Sequence, residues 1–163
     1  MAVLTLMVGL PGSGKTTRAK ALAERTGALR LTPDEWQMRL FADDMHHPDH
    51  DRRHDEIEAI MWEVAAALLR RGSDVILDFG FWSRSERADF AARAAALGAR
   101  CEIDFAHVPL DELERRIAAR NQRSGGHFAI PIPVLRHWAS LFEAPDADEV
   151  AGRFGTQSTP LAP

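Results

Sequence analysis

Residues 9–17, Gly-Leu-Pro-Gly-Ser-Gly-Lys-Thr-Thr, follow the strand-like apolar run 2–8 and lead into a helical pattern. Gly9, Gly14, Lys15 and Thr16 satisfy G-x-x-x-x-G-K-[ST] in full. From average residue usage, a chain this long meets that pattern by chance about one time in 200. The context it requires, a strand before and a helix after, is also present. Gly12 and Gly14 carry no Cβ, so backbone N–H groups can turn inward around phosphate oxygens. The positive end of the following helix adds to that attraction. Gly12, Ser13, Gly14, Lys15, Thr16 and Thr17 therefore form the expected cradle of a nucleoside triphosphate. Lys15 is expected to reach the β- and γ-phosphates, and the Thr16 hydroxyl to meet Mg2+. A glycine turn that merely joined strand to helix would need neither side chain. The expected cofactors are ATP and Mg2+.

Three further groups complete a phosphoryl-transfer site. The apolar run 75–77 closes on Asp78, read as the acid that orders Mg2+ and its waters. Phe79 stands where motor and switch ATPases commonly carry a water-activating glutamate, and no guanine-reading [NT]-K-x-D follows. These features favour transfer to a bound acceptor over hydrolysis. Asp78-Phe79-Gly80 also spells a protein-kinase motif, but the glycine loop, lysine and H-R-D signature of that class are missing. Asp34 is the candidate general base. It lies just past the second strand, at the sheet edge where ligands bind. The flanking Thr32 and Glu35 are expected to form a capping box that leaves Asp34 without a backbone role. Arg116, Arg120 and Arg123 fall on one helix face that leads into a glycine-containing polar stretch, 122–128. Arg120 and Arg123 are read as a lid that closes over the γ-phosphate. Arg115 and Arg116 are read as a solvated face.

The elements that must position these groups alternate strand and helix, the pattern of a parallel sheet wrapped by helices. Strands are expected at 3–8, 28–31, 75–77 and 101–107. The first helix should end near Arg25 with Gly27 as its stop, and Pro33 should open the second. The next should run from about Arg52 to Arg71, with Ile57, Ile60, Met61, Val64 and Leu68 on its buried stripe. Helices over 84–97, 110–121 and 132–142 complete the count. The 163 residues form one domain by length, with 1–145 as its body and 146–163 as a partly disordered tail. A net charge of −4 supplies no global field for nucleic acid. A single cysteine, Cys101, excludes an internal disulfide. The N-terminal apolar run lacks a basic flank and a cleavage site, and no segment reaches the ~20 apolar residues of a membrane span. The expectation is a cytoplasmic protein with no membrane partner.

The order and spacing of "GLPGSGKTT", "TPDEW", "VILDFGFWSRSER" and "VPLDELERRIAARN" followed by "IPIPVLRHWASLF" resemble the small P-loop kinases. These are grouped around the kinase half of polynucleotide kinase, with gluconate kinase-like and chloramphenicol phosphotransferase-like members and an AAA-type ATP-binding domain. The likeness covers about residues 1–143. It implies an α/β, three-layer P-loop NTPase fold with sheet order 2-3-1-4 and an arginine lid after the fourth strand. It also implies Asp34 as the base for the acceptor hydroxyl and Arg120 on the donor phosphates. Two departures concern the acceptor. Polynucleotide kinase-like members carry an arginine three residues past the base, where this chain has Gln37, with Arg39 offset by two. Many relatives read D-x-T-N where this chain reads Asp78-Phe79-Gly80-Phe81, followed by Trp82. Both weigh against nucleic-acid ends and point to a small, flatter hydroxylated acceptor.

Trp36, Arg39 and Trp82 are the candidate substrate contacts on that side. The stretch 43–56 holds four histidines, of which His46, His50 and His54 are spaced by four as helical metal ligands can be. Pro48 interrupts a shared face, so the stretch reads as a polar connector that could contribute to substrate recognition. The function expected is ATP-dependent phosphate transfer to a hydroxyl of a small molecule. Polynucleotide 5′-hydroxyl phosphorylation is the rival enzyme reading. A nucleotide-dependent binding or switch module is the rival outside catalysis.

Overall fold

Four parallel strands form one sheet in the order β2-β3-β1-β4 in the computed structural model, which describes residues 1–42, 47–123 and 128–152. The strands are β1 (Val3–Val8), β2 (Leu29–Leu31), β3 (Val75–Gly80) and β4 (Arg100–Phe105). The helices are α1 (Lys15–Thr26), α2 (Pro33–Phe41), α3 (His50–Arg70), α4 (Arg84–Ala96), α5 (Leu110–Asn121), α6 (Ile132–Leu141) and α7 (Ala147–Val150). This is the fold class that the strand–helix alternation predicts, in the strand order that the family resemblance implies. No helix among the described residues is long and apolar enough to cross a membrane.

The central strand β1 is covered on both faces, which is why it reads as a continuous apolar run rather than an alternation. Leu4, Leu6 and Val8 pack with Ile57 and Met61 of α3 and Ala91 and Ala94 of α4. Met7 and Ile76 turn to the opposite face, against Ala19 of α1. A third cluster joins Leu10 to Leu113, Ile117 and Leu135, fixing α5 and α6 beside the loop that follows β1.

α3 buries a different stripe from the one its periodicity suggests. Ile57, Met61, Ala65, Ala66 and Leu69 are buried, whereas Ile60 is 52% exposed. The helix presses onto the sheet along the i, i+4 row Ile57, Met61, Ala65 and Leu69, on which Ala65 allows close approach, and Val64 and Leu68 fall to its margin. β3 runs to Gly80, past the expected end at 77, because the Gly9 N–H donates to the Gly80 carbonyl at 3.1 Å and carries the pairing beyond a register shift. α7 takes four residues of the expected tail, held by an Asp146–Glu149 capping box.

The turn after β3 is under local strain. Phe81 has φ +47, a left-handed conformation rare for an aromatic residue. Its ring packs between Phe79 at 5.5 Å and Phe90 at 5.0 Å. Its carbonyl accepts a 3.1 Å hydrogen bond from the Nη1 of Arg87, whose side chain is completely buried. The same guanidinium pairs with both carboxylate oxygens of Glu149, at 2.8 and 3.1 Å. Removing one partner of a buried pair leaves an uncompensated charge. Glu149→Gln is therefore expected to lower unfolding stability by about 3 kcal/mol in urea titration. A loss below about 1 kcal/mol, the scale of an exposed pair, would show that α7 does not secure the turn.

Candidate functional site

A cavity of about 1060 Å3 opens at the C-terminal ends of the strands, between the loop after β1, the first turns of α2 and α3, the end of β3 and the face of α5. The loop supplies its anion-seeking element. α1 begins at Gly14 (φ +88) with no side-chain cap and no acidic residue in its first turn. The amides that open a helix have no intrahelical partners, and here the N-cap residue, a glycine, has no side chain to take that place. Gly12 (φ +84) sits so close to α5 that a Cβ would lie 3.2 Å from the Ile117 side chain. Gly12, Gly14, Lys15, Thr16 and Thr17 line the cavity. Ser13 does not. Its N–H donates to the Leu10 carbonyl at 3.1 Å, and its hydroxyl is buried behind the loop without a hydrogen-bond partner.

Four charged groups from four elements interact at the cavity and beneath its lining. Burial pulls the Lys15 ammonium below the ordinary lysine range, Asp78 and Asp34 oppose that pull, and Arg120 adds to it. Asp78, at the end of β3, is pushed above the usual carboxylate range chiefly by burial, with Lys15, a Thr16 hydrogen bond and Arg30 working the other way. Arg120 of α5 is lowered by burial and drawn back by Asp34. Asp34 is 67% exposed in the first turn of α2. Arg123 lies at the cavity edge and is exposed.

Thr32 departs from its expected role. It is the N-cap residue of α2, yet its side chain makes no capping bond. Its hydroxyl accepts from Arg30 and donates to Asp78 Oδ2 at 3.4 Å. Glu35, the other half of the expected box, pairs with Arg30 at 2.7 Å and Lys20 at 3.4 Å. Arg30 thus gathers Thr32, Glu35 and Asp78, a set that local spacing does not announce.

The region expected to face the acceptor also differs in detail. Trp82 lines the cavity, with its ring 5.3 Å from that of Trp138, and Phe79 lines it too. Trp36 and Arg39 do not reach it. Successive helical residues turn by about 100°, so Met38 shares the Asp34 face while Trp36 and Arg39 project away, both exposed. Arg116, read as a solvated residue, instead lines the cavity and donates to the Gly12 carbonyl at 3.3 Å. His50 and His54 also line it. His46 lies outside the described residues. Among the described residues no group of three or more His, Cys, Asp and Glu is placed to hold a metal. Cys101 is buried, and burial followed by Glu102 pushes its thiol up to about 12, which removes it as a nucleophile.

A family model described as an AAA domain matches residues 4–145. No curated protein matches the sequence. Among solved structures, a chain of the Pnkp1/Rnl/Hen1 RNA repair complex superposes with a TM-score of 0.67 at 22% identity, over 93% of this chain and 44% of that one. The chain therefore spans less than half the length of that relative. A sugar kinase from Janibacter sp. HTCC2649 gives a TM-score of 0.62 at 20% identity, covering 91% of this chain and 82% of that one. Chaetomium thermophilum Kti12 in complex with ADP-AlF3 gives 0.65 at 18%, covering 88% and 81%. At these identities the likeness establishes the fold alone.

Proposed function

This chain belongs to the AAA domain family, and from that premise we propose that it is an ATP- and Mg2+-dependent phosphotransferase acting on a hydroxyl of a small molecule. The observation that carries the reading is the convergence of Lys15, Asp34 and Arg120, from α1, α2 and α5, on one cavity beside an uncapped helix start, with the buried Asp78 of β3 interacting with Lys15 from beneath its lining. In the proposed reaction the acceptor oxygen bonds to the γ-phosphorus, the bond from that phosphorus to the bridging oxygen breaks, and ADP leaves. Asp34 takes the hydroxyl proton as the new bond forms. Lys15 and Arg120 balance charge on the migrating group, and Arg123 closes the mouth above it.

Thr16 and Asp78 would hold the magnesium ion. The fit rests on Asp78, whose buried Oδ1 has no hydrogen-bond partner, the state expected of an oxygen reserved for a cation or its water. The ion, when bound, supplies charge neutralisation on the phosphates.

A small acceptor is favoured over a nucleic-acid end. Gln37, at the position of the phosphate-gripping arginine, is completely buried and bonded to His50. It offers nothing to an acceptor phosphate. The acceptor side carries Asp51 and Asp55 besides Asp34, which repel a phosphodiester. Trp82, Trp138 and Phe79 offer flat apolar surface. ADP release should be measured against a panel of hydroxylated metabolites and antibiotics, with 5′-hydroxyl oligonucleotides as a separate arm. A small member of the panel is expected to raise turnover well above the ATP-alone rate. Stimulation confined to oligonucleotides would replace this acceptor class. Nucleotide binding with no stimulated turnover would favour a switch module.

Arg120→Ala is expected to lower kcat about tenfold or more, with a smaller change in KM for ATP, because its charge matters most as the γ-phosphate moves. An unchanged kcat would return Arg120 to the role of a helix-face cation.

A further inference from the structure

α3 enters the cavity with two histidines one turn apart, and they are tied to α2 through a buried amide. Gln37 Oε1 lies 3.0 Å from His54 Nδ1, while Gln37 Nε2 donates to the His50 carbonyl at 3.0 Å and meets His50 Nδ1 at 3.1 Å. The other ring nitrogen of His54, Nε2, lies 3.2 Å from Glu58 Oε1. Both nitrogens are therefore engaged, and the ring plane is fixed from two sides. In that orientation Nδ1 stands 3.8 Å from Asp34 Oδ1. A histidine in a polar connector would turn to solvent. This one is largely buried and aimed at the proposed base.

We propose that His54 is a positioning residue for Asp34, its ring set by Gln37 and Glu58 so that the carboxylate meets the acceptor hydroxyl in one orientation. The inference rests on the reading of Asp34 as base. Asp34 is mostly exposed on the first turn of a short helix, where an unsupported carboxylate samples several rotamers. Productive transfer needs it in one, since small misplacements of a catalytic group cost rate steeply. Gln37, which in the acceptor-phosphate role would face substrate, acquires a different task here. It orients the histidine that orients the base.

The groups facing the ring set its charge. Burial disfavours the imidazolium, but Glu58 by contact, then Asp34 from α2 and Asp55 on α3, outweigh it and raise the pKa above the ordinary value. His50 stacks at 6.4 Å on the same helix, and Glu86 of α4 faces Glu58 from behind. The imidazolium is present below the raised pKa and is lost as pH climbs through it. Above that point Asp34 loses one of its cationic neighbours, Lys15 and Arg120 remaining. The rate of transfer should accordingly decline on the alkaline side.

Two measurements on the full chain decide the matter. The first needs no acceptor: the His54 ring is titrated by NMR in wild type, Asp34→Asn and Glu58→Gln. Wild type is expected to titrate above the ordinary histidine value, with Asp34→Asn lowering it by roughly half a unit for a charge pair at this separation and Glu58→Gln lowering it at least as much. A titration unmoved by Asp34→Asn would overturn the proposal while leaving Asp34 free to act as base. In the second, His54→Gln is assayed with the acceptor that the panel identifies. The expected result is a fall in kcat of about tenfold or more, unchanged KM for ATP and loss of the alkaline decline. Wild-type kcat and pH profile in His54→Gln would also overturn it. Should Asp34→Asn itself keep full turnover, the reading of Asp34 fails first, and the titration still reports separately on the contact.

Discussion

Lys15→Ala is expected to bring acceptor-stimulated ADP release down by about a thousandfold, to background, and to abolish nucleotide-dependent stabilisation. The first expectation follows from what Lys15 balances. It lies in the first turn of α1, half-buried, in a site where burial already works against its charge. A cation in that condition is poorly served by the apo protein, and a triphosphate supplies the missing counter-charge. Removing one preorganised group that stabilises transition-state charge costs about 10²–10³ in rate. Removing a cation that contacts both ground and transition states adds a binding loss. The second expectation is a matter of mass action, because a ligand at about 100 times its dissociation constant stabilises the folded state by about 2.7 kcal/mol. Wild type should thus melt later with MgATP than without it, and Lys15→Ala should show no such difference. Near-normal turnover in the variant would remove the phosphate assignment and with it the site.

The parts of this site legible in the sequence are those set by neighbours in the chain. The glycine loop announces itself because backbone amides can converge on an anion only where Cβ atoms are absent, and that demand falls on consecutive residues. Asp78 is legible because it ends an apolar run, and Asp34 because it follows one. What escapes is pairing between residues far apart in sequence. Arg30 takes Thr32 away from the α2 amides and delivers it to Asp78, 46 residues on. That contact overturns the capping box, although Thr32 does mark the boundary of the helix. Gln37 is visible as a departure from an arginine, but its bond to His54, 17 residues ahead, is what gives it meaning. Arg87 and Glu149 are 62 residues apart and look like ordinary surface charges until both are buried together. Trp36 and Arg39 fail for a simpler reason: proximity in sequence to Asp34 is not proximity around a helix.

The aromatic sequence after Asp78 divides along the same lines. Phe81 is read with Phe79 and Trp82 as part of one apolar surface on the acceptor side, yet it is 1% exposed and belongs to the core. The left-handed turn at Phe81 directs its ring inward and leaves its neighbours Phe79 and Trp82 to the cavity. Arg87 holds that turn by its carbonyl and ties it to α7. The wall that an acceptor would meet is thereby backed by the core that holds Phe81 and by a helix beyond residue 145.

Asp34→Asn is expected to leave the dissociation constant for MgATP within about a factor of two and to cut kcat for transfer by about 10²–10⁴, the scale of a general base. The substitution keeps the shape of the side chain and removes only the charge and the capacity to accept a proton. Asp34 shares the cavity with Lys15 and Arg120 but is not among the groups gathered around the Asp78 carboxylate by Arg30 and Thr32. Nucleotide affinity should therefore depend on Asp78 and Lys15 far more than on Asp34. Isothermal titration with MgATP and single-turnover transfer, run on the same preparation, separate the two. If affinity collapses together with rate, Asp34 serves the cation or the phosphates rather than the acceptor. If both stay near wild type, the acceptor hydroxyl gives its proton elsewhere. Only an intact affinity with a lost rate fits a carboxylate that stands on the acceptor side and acts when the new oxygen–phosphorus bond forms.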